Sequence, residues 1–547
     1  MKEAVTILPV QSAARVRGLR WLVPSLADFL FGAFLIWLFV TGEGWKSLLG
    51  DGDCGWHIRT GDYILAQGHV PRVDIFSYTK PGQPWFAWEW LSDVTFSALH
   101  QDLGLKGVVL LAGVVLAATA TILFQHTLWS GANLFIALLV TLLAMGSASI
   151  HYLARPHIFT LLMVTISLWF LARDRRRPGW TVWLLVPLAA LWANLHGGFL
   201  ALISATGLLA AASLLEGWLA GPAAPDRWTN FRRYATLTAA CSLATLANPY
   251  GYQLHVHIAR YLRSSWILEA VEEFQSPKFR SENMLQFEAL LFAGLGLVGW
   301  LLFKKRWFEA LLILFWAQAA LTSVRHAPIF AIAAAPILAS ELTAIWNRWV
   351  TDKPRRSVMG ILRDLSNEFG RLPLRVTLWA PALVLFLAVA KGQNWPSDFP
   401  SIKFPVAVID RHAALLAPAE GPMPRILTSD QWGDYLIYRF YPRMRVFVDG
   451  RSDFYGQEFG KEYMQLAGAQ HRWEAILERY RFDYALVPVE WPLAELLKRR
   501  VGWRLVADDG LAILFEAPRA ALMKVGHPAE RKERHSRGTT APRGSSQ

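Results

Sequence analysis

Asp51-Gly52-Asp53-Cys54-Gly55-Trp56-His57 stands just past an apolar run over 22–41. Two carboxylates, an imidazole and an indole gathered beside such a run decide how the rest of the chain is read. Further along, Arg155-Pro156-His157, Asn194-Leu195-His196-Gly197, Asn248-Pro249-Tyr250-Gly251 and Arg325-His326 stand in the same position, at the ends of apolar runs. Connections rich in Arg and Lys alternate with them. A polytopic chain that collects its His, Asp, Asn and Trp clusters on one membrane face is built to do chemistry there.

A spanning helix needs roughly 20 mostly apolar residues, because lipid cannot satisfy bare backbone. Such runs fall near 22–41, 105–125, 132–150, 157–172, 180–195, 198–218, 234–248, 285–303, 307–323, 327–346 and 375–391, which predicts about eleven transmembrane helices. Basic residues cluster at Lys2, Arg15, Arg17 and Arg20, at 173–177, at Arg227, Arg232 and Arg233, at 304–306, and from Arg348 to Arg375. With eleven spans, every basic cluster lies on the N-terminal side, which the positive-inside rule makes cytoplasmic. The connections at 49–104, 151–157, 194–198, 249–284 and 323–327, and everything after 391, then lie outside. Because the N-terminal basic residues precede the first run without a small-residue cleavage pattern, that run is expected to persist as a signal anchor. The expected address is a bacterial inner (plasma) membrane, multi-pass, with a cytoplasmic N-terminus and an extracytoplasmic C-terminal domain.

Composition agrees. Hydrophobic residues make up 54% of the 547 and charged residues 18%, too few for a wholly water-facing surface. The net charge of +13 does not point to nucleic acid, because the basic residues sit between apolar runs and in the tail. Cys54 lies in a loop and Cys241 inside an apolar run, so no disulfide is expected between them.

The predicted division is a transmembrane domain over 1–391, with its first external loop at 49–104, an extracytoplasmic α/β domain over 392–518, and a disordered basic tail over 519–547. In the second part, Arg445-Val446-Phe447-Val448 and Tyr484-Ala485-Leu486-Val487 read as strands, and 503–515 as a hairpin around Asp509-Gly510. The fold class is thus a polytopic α-helical membrane protein with a C-terminal α/β domain.

Asp51 and Asp53, one residue apart, are candidates to bind a divalent cation such as magnesium or manganese, or to divide into a ligand and a base. His57 follows within a turn, and Glu89, between Trp88 and Trp90, is a further carboxylate candidate. The aromatic residues of this loop also suit an interfacial belt. Arg155, His157, Asn194, His196, Arg325 and His326 stand at outer helix ends, where cations are costly unless they serve a polar ligand. Together they form a candidate phosphate or pyrophosphate cradle. Beyond 391, Thr428-Ser429-Asp430-Gln431-Trp432-Gly433-Asp434-Tyr435 and Val448-Asp449-Gly450-Arg451 stand where α/β domains make ligand contacts. Trp432, Asp434, Tyr435, Asp449 and Arg451 are the candidates there. Ser429 or Asp430 serves equally well as a helix cap.

The layout resembles that of GT-C-type glycosyltransferases. Asp51 and Asp53 correspond to the acidic residues these carry just after the first helix. Gln431-Trp432-Gly433-Asp434-Tyr435 is similar to the Trp-Trp-Asp-Tyr-Gly motif of oligosaccharyltransferase catalytic subunits, and Val448-Asp449-Gly450 to a strand that follows it. Glu272-Glu273 is the nearest counterpart of the family's second acidic loop motif. Gly433 interrupts the first motif and Leu436 replaces its glycine. The resemblance therefore implies, at its more general level, sugar transfer from a polyprenyl-(di)phosphate donor to an extracytoplasmic glycan, protein or lipid acceptor, and the departures weaken the carry-over of peptide-Asn recognition in particular. It also implies partnership with the bilayer and the lipid-linked donor. Two other classes fit a chain of this kind: a flippase or transporter of lipid-linked glycans, and a non-catalytic envelope scaffold. Transport calls for polar groups at the membrane midplane, whereas here they gather at one boundary.

Overall fold

The computed structural model describes residues 21–40, 44–222, 226–281, 284–370, 374–391 and 395–518. The expected basic tail and the N-terminal basic residues lie outside the described residues. Six described helical segments are long and apolar enough to cross a membrane: Leu105–Trp129, Leu134–His151, His157–Arg176, Gly197–Leu219, Met284–Phe303 and Val324–Val350. Four shorter apolar ones are Leu26–Val40, Trp180–Leu195, Trp307–Thr322 and Trp379–Val389. The run expected at 234–248 is the helix Thr229–Ala244, which is interrupted by Arg232, Arg233 and several hydroxyl residues and satisfies neither description. The polytopic helical fold is therefore present, with six candidate crossings among the described residues, and the expected count of about eleven stays a proposal.

Leu105–Trp129 is the central helix and is buried along most of its length. Gly104, at φ 66°, takes the left-handed conformation that lets the chain turn sharply into it. Its Gly113 has no Cβ to hold off the Phe39 ring, so the first helix packs closely against it. On the same side of the bundle as the loop 49–104, Val324–His326 forms a 3-10 turn before the helix Ala327–Val350. Val324 N–H donates to the Gln275 carbonyl (2.9 Å), and Ser323 Oγ donates to that of Glu273 (3.0 Å). These bonds fix Arg325 and His326 beside the external segment 272–275.

The loop 49–104 folds into two packed helices, α1 (Asp53–Gln67) and α2 (Trp90–Leu103). Between them Asp74 accepts from the Ser77 N–H (3.0 Å) and hydroxyl (2.7 Å) and holds a turn. The C-terminal part carries a four-stranded sheet with the order β1 (Ile426–Leu427), β2 (Tyr484–Pro488), β4 (Ala512–Glu516), β3 (Arg504–Asp508). β1 pairs parallel to β2, and the other neighbours pair antiparallel. The expected hairpin is β3–β4, with Gly510 at φ 85° in its turn.

One strand expectation is corrected. Arg445–Val448 does not join this sheet; it runs extended against the first external loop, making a single bridge from Val446 to Ser77. Val446 N–H donates to Phe76 (2.9 Å) and Tyr78 N–H donates to Val446 (3.0 Å). The alternation that read as a sheet strand instead joins the outer domain to the membrane domain. A helix, α3 (Asp430–Phe440), completes this junction by packing on α1. Its first turn is capped by Ser429, whose hydroxyl accepts from Trp432 N–H. Cys54 and Cys241 are both buried and free, as expected.

Candidate functional site

A cavity of about 720 Å³ opens where one set of ends of the apolar helices meets α1, the loop before α2, the segment 258–273 and the C-terminal part. Asp51, Asp53, His57, Glu89, Arg155, His157, His196, Arg325, His326, Asp449 and Arg451 all line it. Its membrane-side walls are apolar, with Leu161, Leu200, Ala201, Phe315, Trp316 and Ile329. Residues separated by more than 250 positions in sequence thus converge at one hollow.

Arg155 is the electrostatic centre. Its Nη1 reaches Asp51 Oδ2 (2.9 Å) and Glu273 Oε1 (3.1 Å), while Nη2 reaches Asp53 Oδ2 (2.6 Å). A guanidinium offers a planar fork of donors and can bridge several carboxylates at once. Burial works against charge on Arg155, but Asp51, Asp53, Glu273 and Glu89 hold it firmly protonated. Burial also works against charge on Glu273, yet Arg155 and the neighbouring cationic groups pull its pKa below the ordinary carboxylate range.

Asp53 is more constrained than Asp51. Its second oxygen, Oδ1, has no hydrogen-bond partner among the described residues, and neither has Asp434 Oδ2. Both lie beside Gly450, whose missing Cβ would strike them. Two bare carboxylate oxygens in a buried place repel unless a proton or cation lies between them. Burial accordingly raises the pKa of both acids. These atoms test the fit of a divalent cation. Three of the four oxygens on Asp51 and Asp53 are taken: Asp51 Oδ1 by the Asp53 N–H (2.9 Å), the other two by Arg155. The acidic oxygens left without a hydrogen-bond partner here are Asp53 Oδ1 and Asp434 Oδ2, and these are the ones free to face a cation. Among the described residues, no group of three or more His, Cys, Asp and Glu is arranged around a metal position.

Glu89 sits on the opposite wall and has a different environment. His57 Nε2 lies 3.7 Å from its Oε2, and His196 Nε2 lies 3.4 Å from its Oε1. Burial, only partly offset by Arg155, pushes its pKa up to about 8. Burial keeps both imidazoles neutral, with His57 far below its usual value and His196 at about 3. Behind His57 stands Asp93, 2.6 Å from Nδ1 and wholly buried.

The remaining cradle residues divide. His157 Nε2 donates to the His151 carbonyl (2.8 Å), and Arg325 covers the Phe274 ring at 4.3 Å. His326 Nδ1 faces the Ala319 carbonyl at 3.3 Å, so both residues keep a face toward the cavity. Asn194 does not. Its Oδ1 accepts from Trp90 Nε1 (2.7 Å), its Nδ2 donates to Ala190 and Ala247 (both 2.8 Å), and it lies outside the cavity lining. It is a structural tie between α2 and the neighbouring helices.

Three further expectations are corrected. Trp432, Asp434 and Tyr435 are buried and absent from the cavity wall. Trp432 Nε1 donates to the Lys403 carbonyl (2.9 Å), and Tyr435 OH donates to Asp398 (2.9 Å). Asp434 Oδ1 accepts from Gly450 N–H (2.9 Å). The amphipathic pattern of α3 places these side chains on its packed face, so the motif joins domains. Asp449 and Arg451 line the cavity, and most of their polar atoms are paired with each other or with neighbours, while Arg451 Nη1 has no hydrogen-bond partner among the described residues. Arg451 pairs with Asp449 and Asp74 (2.7 Å each), and Tyr455 OH donates to Asp449 (2.8 Å).

Sequence reasoning missed Asp93, His151, Tyr261 and Trp266. Asp93 stands one helical turn after Glu89, a spacing that marks a shared helix face, and that was the available signal.

The fold is that of GT-C-type glycosyltransferases. It is similar to the archaeal oligosaccharyltransferase AglB from Archaeoglobus fulgidus, solved with an inhibitory peptide and a dolichol-phosphate, at 13% identity and a TM-score of 0.54. That match covers 89% of this chain and 73% of the other. A weaker likeness is to ArnT from Cupriavidus metallidurans bound to undecaprenyl phosphate, at 14% identity, a TM-score of 0.46, and 94% and 100% coverage. No protein-family model matches the sequence, and no curated protein does.

Proposed function

We propose that this chain is a membrane glycosyltransferase that moves a sugar from a polyprenyl-phosphate or polyprenyl-diphosphate donor to an acceptor on the non-cytoplasmic side of a bacterial inner membrane. The observation that carries the reading is the single cavity in which Glu89, Arg155 and Arg325 meet beside an apolar wall of membrane helices. The polyprenyl tail would lie along Leu161, Leu200, Phe315 and Ile329. Arg325, His326, His157 and Arg155 would surround the phosphate. The leaving group is an anion, and fixed cations stabilise it more in the transition state than in the ground state.

Geometry favours Glu89 over Asp51 and Asp53 as the base. The two aspartates are paired with Arg155, whereas Glu89 makes no ion pair with an arginine within 4 Å among the described residues. As the acceptor oxygen bonds to the anomeric carbon, its proton passes to Glu89. The bond from that carbon to the phosphate oxygen breaks, and its electron pair leaves with the lipid phosphate. A divalent cation, when bound, would be held by Asp53 and Asp434 and would supply positive charge at the acidic wall. The segment 392–518 would grip a glycan, protein or lipid acceptor from the outer side.

The test is purified full-length protein given a tagged pool of polyprenyl-phosphate-linked sugars. Release of lipid phosphate in the wild type, lost in Glu89→Gln, supports the reading. Movement of the pool across vesicles without cleavage would instead favour a flippase, and neither outcome would favour a scaffold.

A further inference from the structure

Asp93 is fully buried behind the cavity wall, and the reaction just outlined does not use it. Its Oδ1 stands 2.6 Å from His57 Nδ1, and its Oδ2 has no hydrogen-bond partner among the described residues. A carboxylate with one bare oxygen in an apolar place is costly to keep ionised, while a carboxylic acid leaves that oxygen tolerable. Asp93 in the acid form donates its single O–H to His57 Nδ1. A neutral imidazole has one donor and one acceptor nitrogen. With Nδ1 accepting, the proton of His57 must sit on Nε2, the atom that faces Glu89.

The other imidazole beside Glu89 is fixed in the same sense by a different route. Gly198 N–H donates to His196 Nδ1 (3.0 Å), and the Thr160 hydroxyl lies 2.7 Å from the same nitrogen. Thr160 Oγ1 in turn accepts from Trp192 Nε1 (3.0 Å), leaving its proton for His196. The proton of His196 therefore also sits on Nε2, facing Glu89 Oε1. Stacking on Trp56, at 3.7 Å between ring centres, keeps the His57 ring from turning.

We infer that Asp93 is a positioning residue: through His57 it aims an N–H at Glu89, so that two imidazole N–H groups hold that carboxylate from either side. At 3.4 and 3.7 Å neither closes a full hydrogen bond. Glu89 is oriented by both and keeps lone pairs for an acceptor hydroxyl. Asp93 and His57 neither gain nor lose a proton when Glu89 takes one. The inference rests on Glu89 being the base of the proposed transfer.

The first experiment needs no turnover. In full-length protein labelled with nitrogen-15 at histidine, the His57 signals are assigned by their loss in His57→Gln. A protonated Nε2 with a bare Nδ1 is expected; protonation at Nδ1, or at both nitrogens, overturns the inference. The second uses the tagged lipid-linked sugar pool. Asp93→Leu is expected to lower kcat by about 10–100-fold, the range for lost support of a functional ligand, with donor KM and polyprenyl phosphate binding unchanged. Asp93→Asn still presents an N–H to Nδ1 and should retain most of kcat. An Asn variant as damaged as the Leu variant, or a Leu variant altered only in KM, would also overturn it. If the wild type releases no lipid phosphate, the transfer reading fails, and the nitrogen-15 signals alone decide the placement of the proton.

Discussion

Gly433 lies so close to Val448 that a Cβ on it would overlap the Val448 carbonyl oxygen. Helix α3 can sit on the extended segment 445–449 only because position 433 has no side chain. The glycine that interrupts the oligosaccharyltransferase-like motif is thus required by packing, and it explains why the motif's neighbours are buried. Gly433→Ala should destabilise the protein by about 1–3 kcal/mol, the usual cost of overpacking. Thermal unfolding in detergent would show it as a lowered Tm, and a Tm equal to the wild type would contradict the account.

The bridge formed by Arg155 predicts an order among substitutions. Lys at 155 has a single charged nitrogen and cannot span Asp51 and Asp53 with separate N–H groups. Arg155→Lys should therefore lower lipid-phosphate release by about 10-fold or more, and Arg155→Gln by more, since it leaves Asp51, Asp53 and Glu273 without their cation. Asp53→Asn should be more damaging than Asp51→Asn, because Asp53 is the aspartate that would share a divalent cation with Asp434. Comparing initial rates of the four proteins checks the order; equal losses at 51 and 53 would refute it.

Much of this architecture is legible in the sequence because lipid imposes a coarse rule. Apolar runs and alternating basic connections give the membrane domain, and they place Arg155, His196 and Arg325 on one side. Long-range packing is not legible. Arg445–Val448 has the alternation of a sheet strand, and only the fold shows that its partner is the first external loop. Trp432, Asp434 and Tyr435 look like ligand contacts because buried and ligand-binding polar residues share one composition. Asp449 and Arg451 do line the cavity, but the sequence does not show that Arg451 is also tied to Asp74, more than 370 residues earlier. The one-turn spacing from Glu89 puts Asp93 on the same helix face, but its place behind His57 is a long-range contact that no spacing carries.

The Arg451 group makes a stability prediction. Arg451 and Asp74 are almost wholly buried, and their contact joins the outer domain to the first loop. With Asp74 gone Arg451 keeps Asp449, so the cost is that of the lost charge-assisted hydrogen bonds from Arg451 and Ser77, about 1.5–3 kcal/mol. Asp74→Ala should therefore lower Tm markedly and expose the outer domain to limited proteolysis. If Asp74→Ala melts like the wild type and resists protease equally, the two parts are held together elsewhere.

Glu89 gives opposite pH trends for rate and stability. Burial raises its pKa to about 8, against 4.5 for an ordinary glutamate. A base must be ionised, so the rate of lipid-phosphate release should climb with pH and level off above about 8. For stability the sign reverses. A folded pKa above the unfolded one means that the native state binds the proton more tightly. The contribution is complete below about 4.5 and is lost as pH rises through about 8. Across that window Glu89 should make the protein less stable with rising pH, and Glu89→Gln, which cannot ionise, should remove that part of the slope while abolishing turnover. Denaturation at several pH values, run beside the rate profile, measures both. A rate that falls between pH 6 and 8 in the wild type, or a stability slope unchanged in Glu89→Gln, would show that Glu89 is neither the base nor protonated in the folded protein.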